Sequence, residues 1–343
     1  MRRKITSIIL SIALFATLMA GCAPKAATPQ SKEAAPAVPV VTEAAPTDAV
    51  AKTKVFVTPD WVKSVVDGKQ AESKDFMIIE AAWGPVKEDK EYLAAHLPGA
   101  VHLNTDDIEE PTYWNIRTGG ELKKIMSAYG ITKDTTVIVY GSDSGAARVA
   151  FVCLMAGVEN VKVLDGGLAA WTKAGYPTEK DIVDPVPTTK EFGVEIPAHP
   201  EYVLSFPKDV QSEMTKNPNF RLVSIRSLDE FCGKTSGYSY IKKAGEPKGA
   251  LWGHDEPDYR NADGTFVPFD KAVTMWNEQG ITKDHEIAFY CGTGWRATIP
   301  FLMAYENGWT NIRLYDGGWF VWQMDDKNPV QKITPEQAAA QYK

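Results

Sequence analysis

Cysteine is scarce in this chain: Cys22, Cys153, Cys232 and Cys291 are the four among 343 residues. They are widely separated, so no disulfide framework staples the fold. No CxxC pair or His-Cys cluster has metal-ligand spacing, and no metal is expected. Positive charge is also short. Lys and Arg number 37 against 44 Asp and Glu, a net charge of −7. No Arg/Lys stripe with interleaved aromatics occurs. Nucleic acid is excluded as a partner, because neutralising phosphates requires a basic face. Long apolar runs are missing too. The N-terminal run Ile8 to Ala20 has 13 residues, too short to span a bilayer comfortably.

That run is nevertheless informative. Arg2-Arg3-Lys4 precedes it, and Leu18-Met19-Ala20-Gly21-Cys22 closes it. A charged start, a short apolar stretch and small residues before a cysteine mark an export signal. The ending resembles the lipobox of bacterial lipoproteins. That resemblance implies cleavage before Cys22, a lipid on its sulfur, and an exported protein held at the cell envelope. Residues 1–21 are then the signal peptide. Residues 22–54, rich in Ala, Pro, Thr and Glu, have no apolar periodicity and read as a flexible tether.

The rest of the chain repeats itself. Gly130-Ile131-Thr132-Lys133-Asp134 recurs as Gly280-Ile281-Thr282-Lys283-Asp284, an offset of 150. Each copy runs into a β-rich segment ending in tyrosine, Thr136 to Tyr140 and Glu286 to Tyr290. Asp165-Gly166-Gly167 matches Asp316-Gly317-Gly318 at 151, and Gly99-Ala100 matches Gly249-Ala250 at 150. Such a period is too long for a solenoid and indicates domain duplication. The two domains span residues 55–180 and 204–332, with a Pro-rich linker over 181–203 and a tail over 333–343. In each, short strand patterns alternate with helical ones. This predicts an α/β fold: a small parallel sheet with helices on both faces. Pro300 fits only the first turn of a helix, which places a helix start near Ala297.

The chemistry concentrates in Tyr290–Ala297, YCGTGWRA. Ligands of open parallel sheets bind beyond the carboxyl ends of strands, and Cys291 stands at such an end. Gly292 and Gly294 let the loop's N–H groups turn inward. The following helix N-terminus and Arg296 add positive charge. All three favour a thiolate, so Cys291 reads as a nucleophile. Phosphatases also carry a cysteine loop ending in arginine, but with five intervening residues where this chain has four. A shorter loop suits one extra sulfur atom better than a phosphate.

This loop, the Asp316-Gly317-Gly318 closure and the Gly249-Ala250 segment resemble the rhodanese-like sulfurtransferases. Leu222 to Ser227, Gly233 to Tyr240 and Trp252-Gly253-His254 resemble exported bacterial members. The resemblance covers residues 55 to 330 and implies two rhodanese domains in tandem. It implies that Cys291 takes a sulfane sulfur from thiosulfate or a related donor, forming a persulfide. The backbone amides of Gly292, Thr293, Gly294, Trp295 and Arg296 would cradle that persulfide. A thiophile, cyanide or a thiol, would then remove the sulfur, with no cofactor. Cys-Gly-Thr-Gly is also similar to mercaptopyruvate-specific loops, so 3-mercaptopyruvate is the alternative donor. Arg296 and Arg226 are candidates for the donor's anionic end; for Arg226 a structural salt bridge is the equal alternative. A non-enzymatic lipoprotein on a rhodanese scaffold is the rival reading.

The first copy lacks the nucleophile. Gly141 stands where Cys291 does, and Arg148 falls opposite Arg296 with two more residues between. The expectation is an inactive domain with a longer loop that walls the other's site. Cys153 and Cys232 are expected to be buried bystanders, Trp322 to be core, and His254, Lys234, Tyr238 and Trp319 to be structural or pocket-lining.

Overall fold

The computed structural model describes residues 55–339. The signal segment, Cys22 and the tether lie outside the described residues. The first copy contributes β1 (Phe56–Val57), α1 (Pro59–Val66), β2 (Phe76–Ala82), α2 (Lys90–Ala94), β3 (Val101–Asn104), α3 (Gly119–Ala128), β4 (Thr136–Tyr140), α4 (Gly145–Ala156), β5 (Asn160–Leu164) and α5 (Gly167–Lys173). The second contributes β6 (Val203–Leu204), α6 (Pro207–Lys216), β7 (Phe220–Ser224), α7 (Leu228–Phe231), β8 (Glu246–Pro247), β9 (Leu251–Trp252), α8 (Phe269–Glu278), β10 (Glu286–Tyr290), α9 (Thr298–Glu306), β11 (Ile312–Tyr315), α10 (Gly318–Trp322), β12 (Val330–Gln331) and α11 (Pro335–Ala339).

Each copy forms a five-stranded, all-parallel sheet. The orders are β1-β5-β4-β2-β3 and β6-β11-β10-β7-β9. These are the same order, strand for strand, as duplication requires. The fold is α/β. The central strands β4 and β10 read TVIVY and EIAFY and bury nearly every residue. β-branched and aromatic side chains suit a strand covered on both faces. β8 and β12 form a small antiparallel pair apart from the main sheet.

One core cluster runs through both copies, from Val55 to Leu314, and each sheet has a separate cluster on its other face. The shared core is built on α4 and α9. All twelve residues of α4 are buried, as are the first seven of α9. A helix that is apolar all round belongs in a core, and here it lies between two domains. Pro300 is the third residue of α9, inside its first turn.

The first copy's loop differs from its sequence expectation. Counted to the arginine it has two extra residues, but the connection from β4 to α4 is shorter, residues 141–144 against 291–297. Gly145-Ala146-Ala147 join the helix, and Asp143 Oδ1 accepts the Gly145 N–H at 2.7 Å. The extra residues thus become helix, and Arg148 stands on α4 and not in a loop. The segment 181–203 hydrogen-bonds back to the first domain, Thr188 N to the Ser127 carbonyl and His199 N to that of Met155. Among the described residues no helix is long and apolar enough to cross a membrane.

Candidate active site

Cys291 follows the last residue of β10 and is fully buried. The loop's first two carbonyls turn toward α10: Cys291 O accepts from Trp319 N at 2.9 Å and Gly292 O from Phe320 N at 3.0 Å. This close approach explains the Asp-Gly-Gly motif. Gly318 has φ +54°, and a Cβ there would strike both carbonyl oxygens. With its carbonyls so engaged, the loop leaves donors over. Among the described residues, none accepts a hydrogen bond from the N–H groups of residues 292–296. A buried thiol beside unpaired amides is a built place for an anion.

Aromatic side chains close over the loop. Tyr238 presses on Gly292, where a Cβ would clash with its ring. Tyr238 and Tyr240 stack at 5.1 Å, and Tyr240 meets Trp114 of the first domain edge-on at 4.8 Å. Trp114 stacks on Phe320 at 4.6 Å. Burial raises both tyrosine hydroxyls, that of Tyr240 to about 12, and the nearby Cys291 adds to the effect. Trp114 and His254 are the two non-glycine residues with positive φ among those described, +55° and +70°. Such backbone strain clusters at functional sites.

The neighbouring side chains Trp295 and Arg296 are held from different domains. Arg296 makes a bidentate pair with Glu230, at 3.0 and 2.9 Å, and reaches Asp255 at 2.7 Å. Its guanidinium lies over the Tyr238 ring at 5.3 Å. Burial opposes ionisation of Glu230, but the hydrogen bonds and charges of Arg296 and Arg226 hold it below its ordinary value. Trp295 donates its ring N–H to Glu109 of the first domain at 2.8 Å.

Arg226 is not at a free surface. It is fully buried, paired with Glu246 at 2.6 Å and Glu230 at 3.3 Å, and donates to the carbonyls of Gly245 and Ser236. Its guanidinium also faces the Trp319 ring at 5.4 Å. This is a buried ion pair in which each of the three guanidinium nitrogens is engaged. Cys153 is buried in α4 and burial pushes its thiol up to about 12. Cys232 is buried and unpaired, its thiol also raised by burial. Trp322 and Trp171 are both core, each donating its ring N–H to a proline carbonyl beyond its own helix. His254 stacks on Trp252 and meets Asp258, while Lys234 pairs with Asp229 in solvent.

Sequence reasoning expected the first domain to wall the site but did not find the residues that reach it. Arg148 pairs with Glu109 at 2.8 Å and crosses to Asp316 at 2.7 Å. Asp316 also accepts the Ile116 N–H at 2.7 Å. The sequence offered one signal, an arginine in an otherwise apolar helix. Glu80, Asp89 and His102 gather a carboxylate set round an imidazole, but both ring nitrogens are engaged, Nδ1 with Glu80 and Nε2 with the Gly84 carbonyl.

The model of the Rhodanese-like domain matches residues 58–174 and 206–325. Thiosulfate sulfurtransferase YnjE of Escherichia coli (strain K12) is 43% identical over 285 residues, 80% of this chain and 64% of its own length. This chain therefore spans under two thirds of that relative. Sulfur carrier protein TtuD of Thermus thermophilus is 28% identical over 283 residues, 79% of this chain and 95% of its own. The crystal structure of YnjE superposes with a TM-score of 0.76 at 41% identity, covering 82% of this chain and 70% of that one. EanB superposes with a TM-score of 0.78 at 35% identity, covering 84% and 72%. That EanB structure carries ergothioneine covalently linked with a persulfide.

Proposed function

The chain belongs to the rhodanese-like family, and from that premise we propose that it is a sulfurtransferase. It moves a sulfane sulfur from thiosulfate or a related donor to a thiophilic acceptor through a persulfide on Cys291. The observation that carries this reading is a buried cysteine beside five backbone N–H groups with no protein acceptor.

The Cys291 thiolate attacks the outer sulfur of thiosulfate. A new S–S bond forms, the old one breaks, and sulfite leaves with its electron pair. The N–H groups of residues 292–296 hold the negative terminal sulfur, and no proton need move. Cyanide or a thiolate then attacks that sulfur and the Cys291 thiolate departs. The two transfers cancel in electrons, so no cofactor is consumed. Arg296, though paired with Glu230 and Asp255, is the charged group nearest in sequence to the cradle and remains the candidate for steering the anionic donor.

Intact mass after incubation with thiosulfate, and separately with 3-mercaptopyruvate, tests this. One added sulfur is expected, absent in Cys291→Ser and removed by cyanide. No adduct with either donor would leave a non-catalytic scaffold as the remaining reading.

A second acceptor class is favoured by the aromatic cover of Trp114, Tyr238, Tyr240 and Phe320. Such a surface suits a flat heterocycle better than a bare anion, and an EanB structure carries ergothioneine covalently linked with a persulfide. Discharge of the loaded enzyme by trimethylhistidine, followed by mass, separates this from thiol or cyanide acceptance. On the same reading Cys22 carries the lipid that tethers the enzyme to the envelope. Loss of membrane partition in Cys22→Ser checks that.

A further inference from the structure

Arg148 falls opposite Arg296 when the copies are aligned by sequence, yet it stands on α4 and does not serve its own loop. Its side chain is fully buried and points out of its domain. Nε meets Glu109 at 2.8 Å and Nη2 meets Asp316 at 2.7 Å. Nη1 has no hydrogen-bond partner. It lies against Gly294, where a Cβ would stand 2.9 Å from it. Gly294 has φ +85° and is the middle of the loop that holds Cys291. The next residue, Trp295, is tied to Glu109, the same carboxylate that Arg148 holds. On the far side, Arg296 is tied to Glu230 and Asp255.

The cradle's backbone is therefore stretched between two anchors. From its own domain come Glu230 and Asp255; from the inactive domain come Glu109 and Arg148. Loops positioned by side chains that are themselves locked hold their dipoles in place without reorganising during reaction. Besides bridging Glu109 and Asp316 and donating to the Trp114 carbonyl at 3.4 Å, the Arg148 guanidinium makes no hydrogen bond to its own loop, residues 141–144. Resting on the sulfurtransferase reading above, we infer that Arg148 and Glu109 of the inactive domain are positioning residues for the Cys291 loop. They fix the amides of residues 292–296 in the arrangement that receives the transferred sulfur.

The arrangement is specific to arginine. One guanidinium spans Glu109 and Asp316 while its third nitrogen, Nη1, lies against Gly294; a lysine ammonium is a point charge and cannot do all three. Glu109 holds Arg148 and Trp295 on a single oxygen, so losing either contact frees the same turn of chain.

Hydrogen exchange by mass spectrometry, together with rapid-mixing persulfide formation, tests this on the full chain. Trp295→Phe keeps the packing and removes the N–H; Arg148→Met keeps the stem and removes the charge. In both, the peptide covering 291–297, whose 292–296 amides are shielded by burial and not by hydrogen bonds, should exchange at least about tenfold faster, while peptides from β7 keep the wild-type rate. The maximal rate of sulfur uptake should fall about ten- to a hundredfold, the usual effect of a misplaced reacting group. The half-saturating thiosulfate concentration should move less than about threefold. Arg148→Lys should not recover the rate. Glu109→Gln and Trp295→Phe combined should cost no more than the worse of the two. If Arg148→Met does not fold, Trp295→Phe carries the test alone. Unchanged exchange over 291–297 would overturn the inference, as would an effect confined to half-saturation. A wild-type protein that takes up no sulfur would instead overturn the enzymatic reading, with the exchange result still deciding whether the clamp exists.

Discussion

Phe151 and Phe301, 150 residues apart, meet edge to face with ring centroids 4.7 Å apart. Each is the sixth residue from the C-terminal end of its helix, α4 and α9. The contact is reciprocal elsewhere too: Asp316 accepts the Ile116 N–H at 2.7 Å, and Asp165 accepts the Phe266 N–H at 2.8 Å. Ile116 and Phe266 are again 150 apart. The two copies thus pack like an isologous dimer joined into one chain. The symmetry breaks at the arginines. Arg148 crosses to the other domain, while Arg296 turns back on its own.

Truncating either phenylalanine should cost about 3–5 kcal/mol of stability, the range for a fully buried ring. Because each ring is the other's wall, Phe151→Ala and Phe301→Ala should combine to less than their sum. Urea unfolding of both singles and the double measures this; strict additivity would contradict a shared contact.

Gly318→Ala should block sulfur uptake. Its Cβ would strike the Cys291 and Gly292 carbonyls, and φ +54° adds strain of about 1 kcal/mol or more. Gly308→Ala, with φ +74° but open space around it, is the matched control and should keep its activity. Equal persulfide yields from the two variants would show that the closure does not shape the loop.

Stability should fall as pH rises from about 5 to about 8 through Glu109. One guanidinium, Arg148, faces two carboxylates, Glu109 and Asp316, and burial is the larger influence. Glu109 is raised from 4.5 to about 7. Its folded form keeps the proton longer than the unfolded chain does. The stabilisation is complete below about pH 4.5 and is lost as pH passes about 7, on the order of 3 kcal/mol. Glu246, buried beside Arg226 and also raised to about 7, acts in the same direction. Chemical unfolding of Glu109→Gln across this range should give a flatter profile than wild type; an identical slope would assign the effect elsewhere.

Arg226→Met should reduce folded protein more than donor affinity. Removing one partner of a buried pair leaves Glu246 uncompensated, a loss of about 3–5 kcal/mol. The surviving folded fraction should show a half-saturating donor concentration close to wild type. A large rise in that value, with stability intact, would return Arg226 to the binding site.

Gly141→Cys on the Cys291→Ser background should not restore sulfur uptake. A Cβ at residue 141 would lie 2.5 Å from the Ala81 carbonyl oxygen, and α4 begins too soon to leave a cradle. Recovered uptake by intact mass would refute this.

The repeat made the fold legible, because matching segments occupy matching strands of two sheets with one order. Cys291 at a strand end and Pro300 in a first helical turn were equally legible, since both follow from local backbone geometry. Arg148 was not. Aligning the copies counts residues, whereas the helix absorbed the extra ones and turned the side chain outward. Nor could periodicity reveal Glu109, which meets Trp295 across 186 residues. Arg226 stayed open between ligand and ion pair for a related reason: a charged residue after a strand fits either role until the carboxylates around it are located.

The bond from Glu109 to Trp295 also sets what can be lost in evolution. A copy that has given up its nucleophile is usually free to drift or to be deleted. Here one of its carboxylates is hydrogen-bonded into the loop that holds Cys291, so a change at that contact in either copy reaches the other. Duplication gave this chain a spare; the shared contact turned the spare into a dependency that neither half can leave alone.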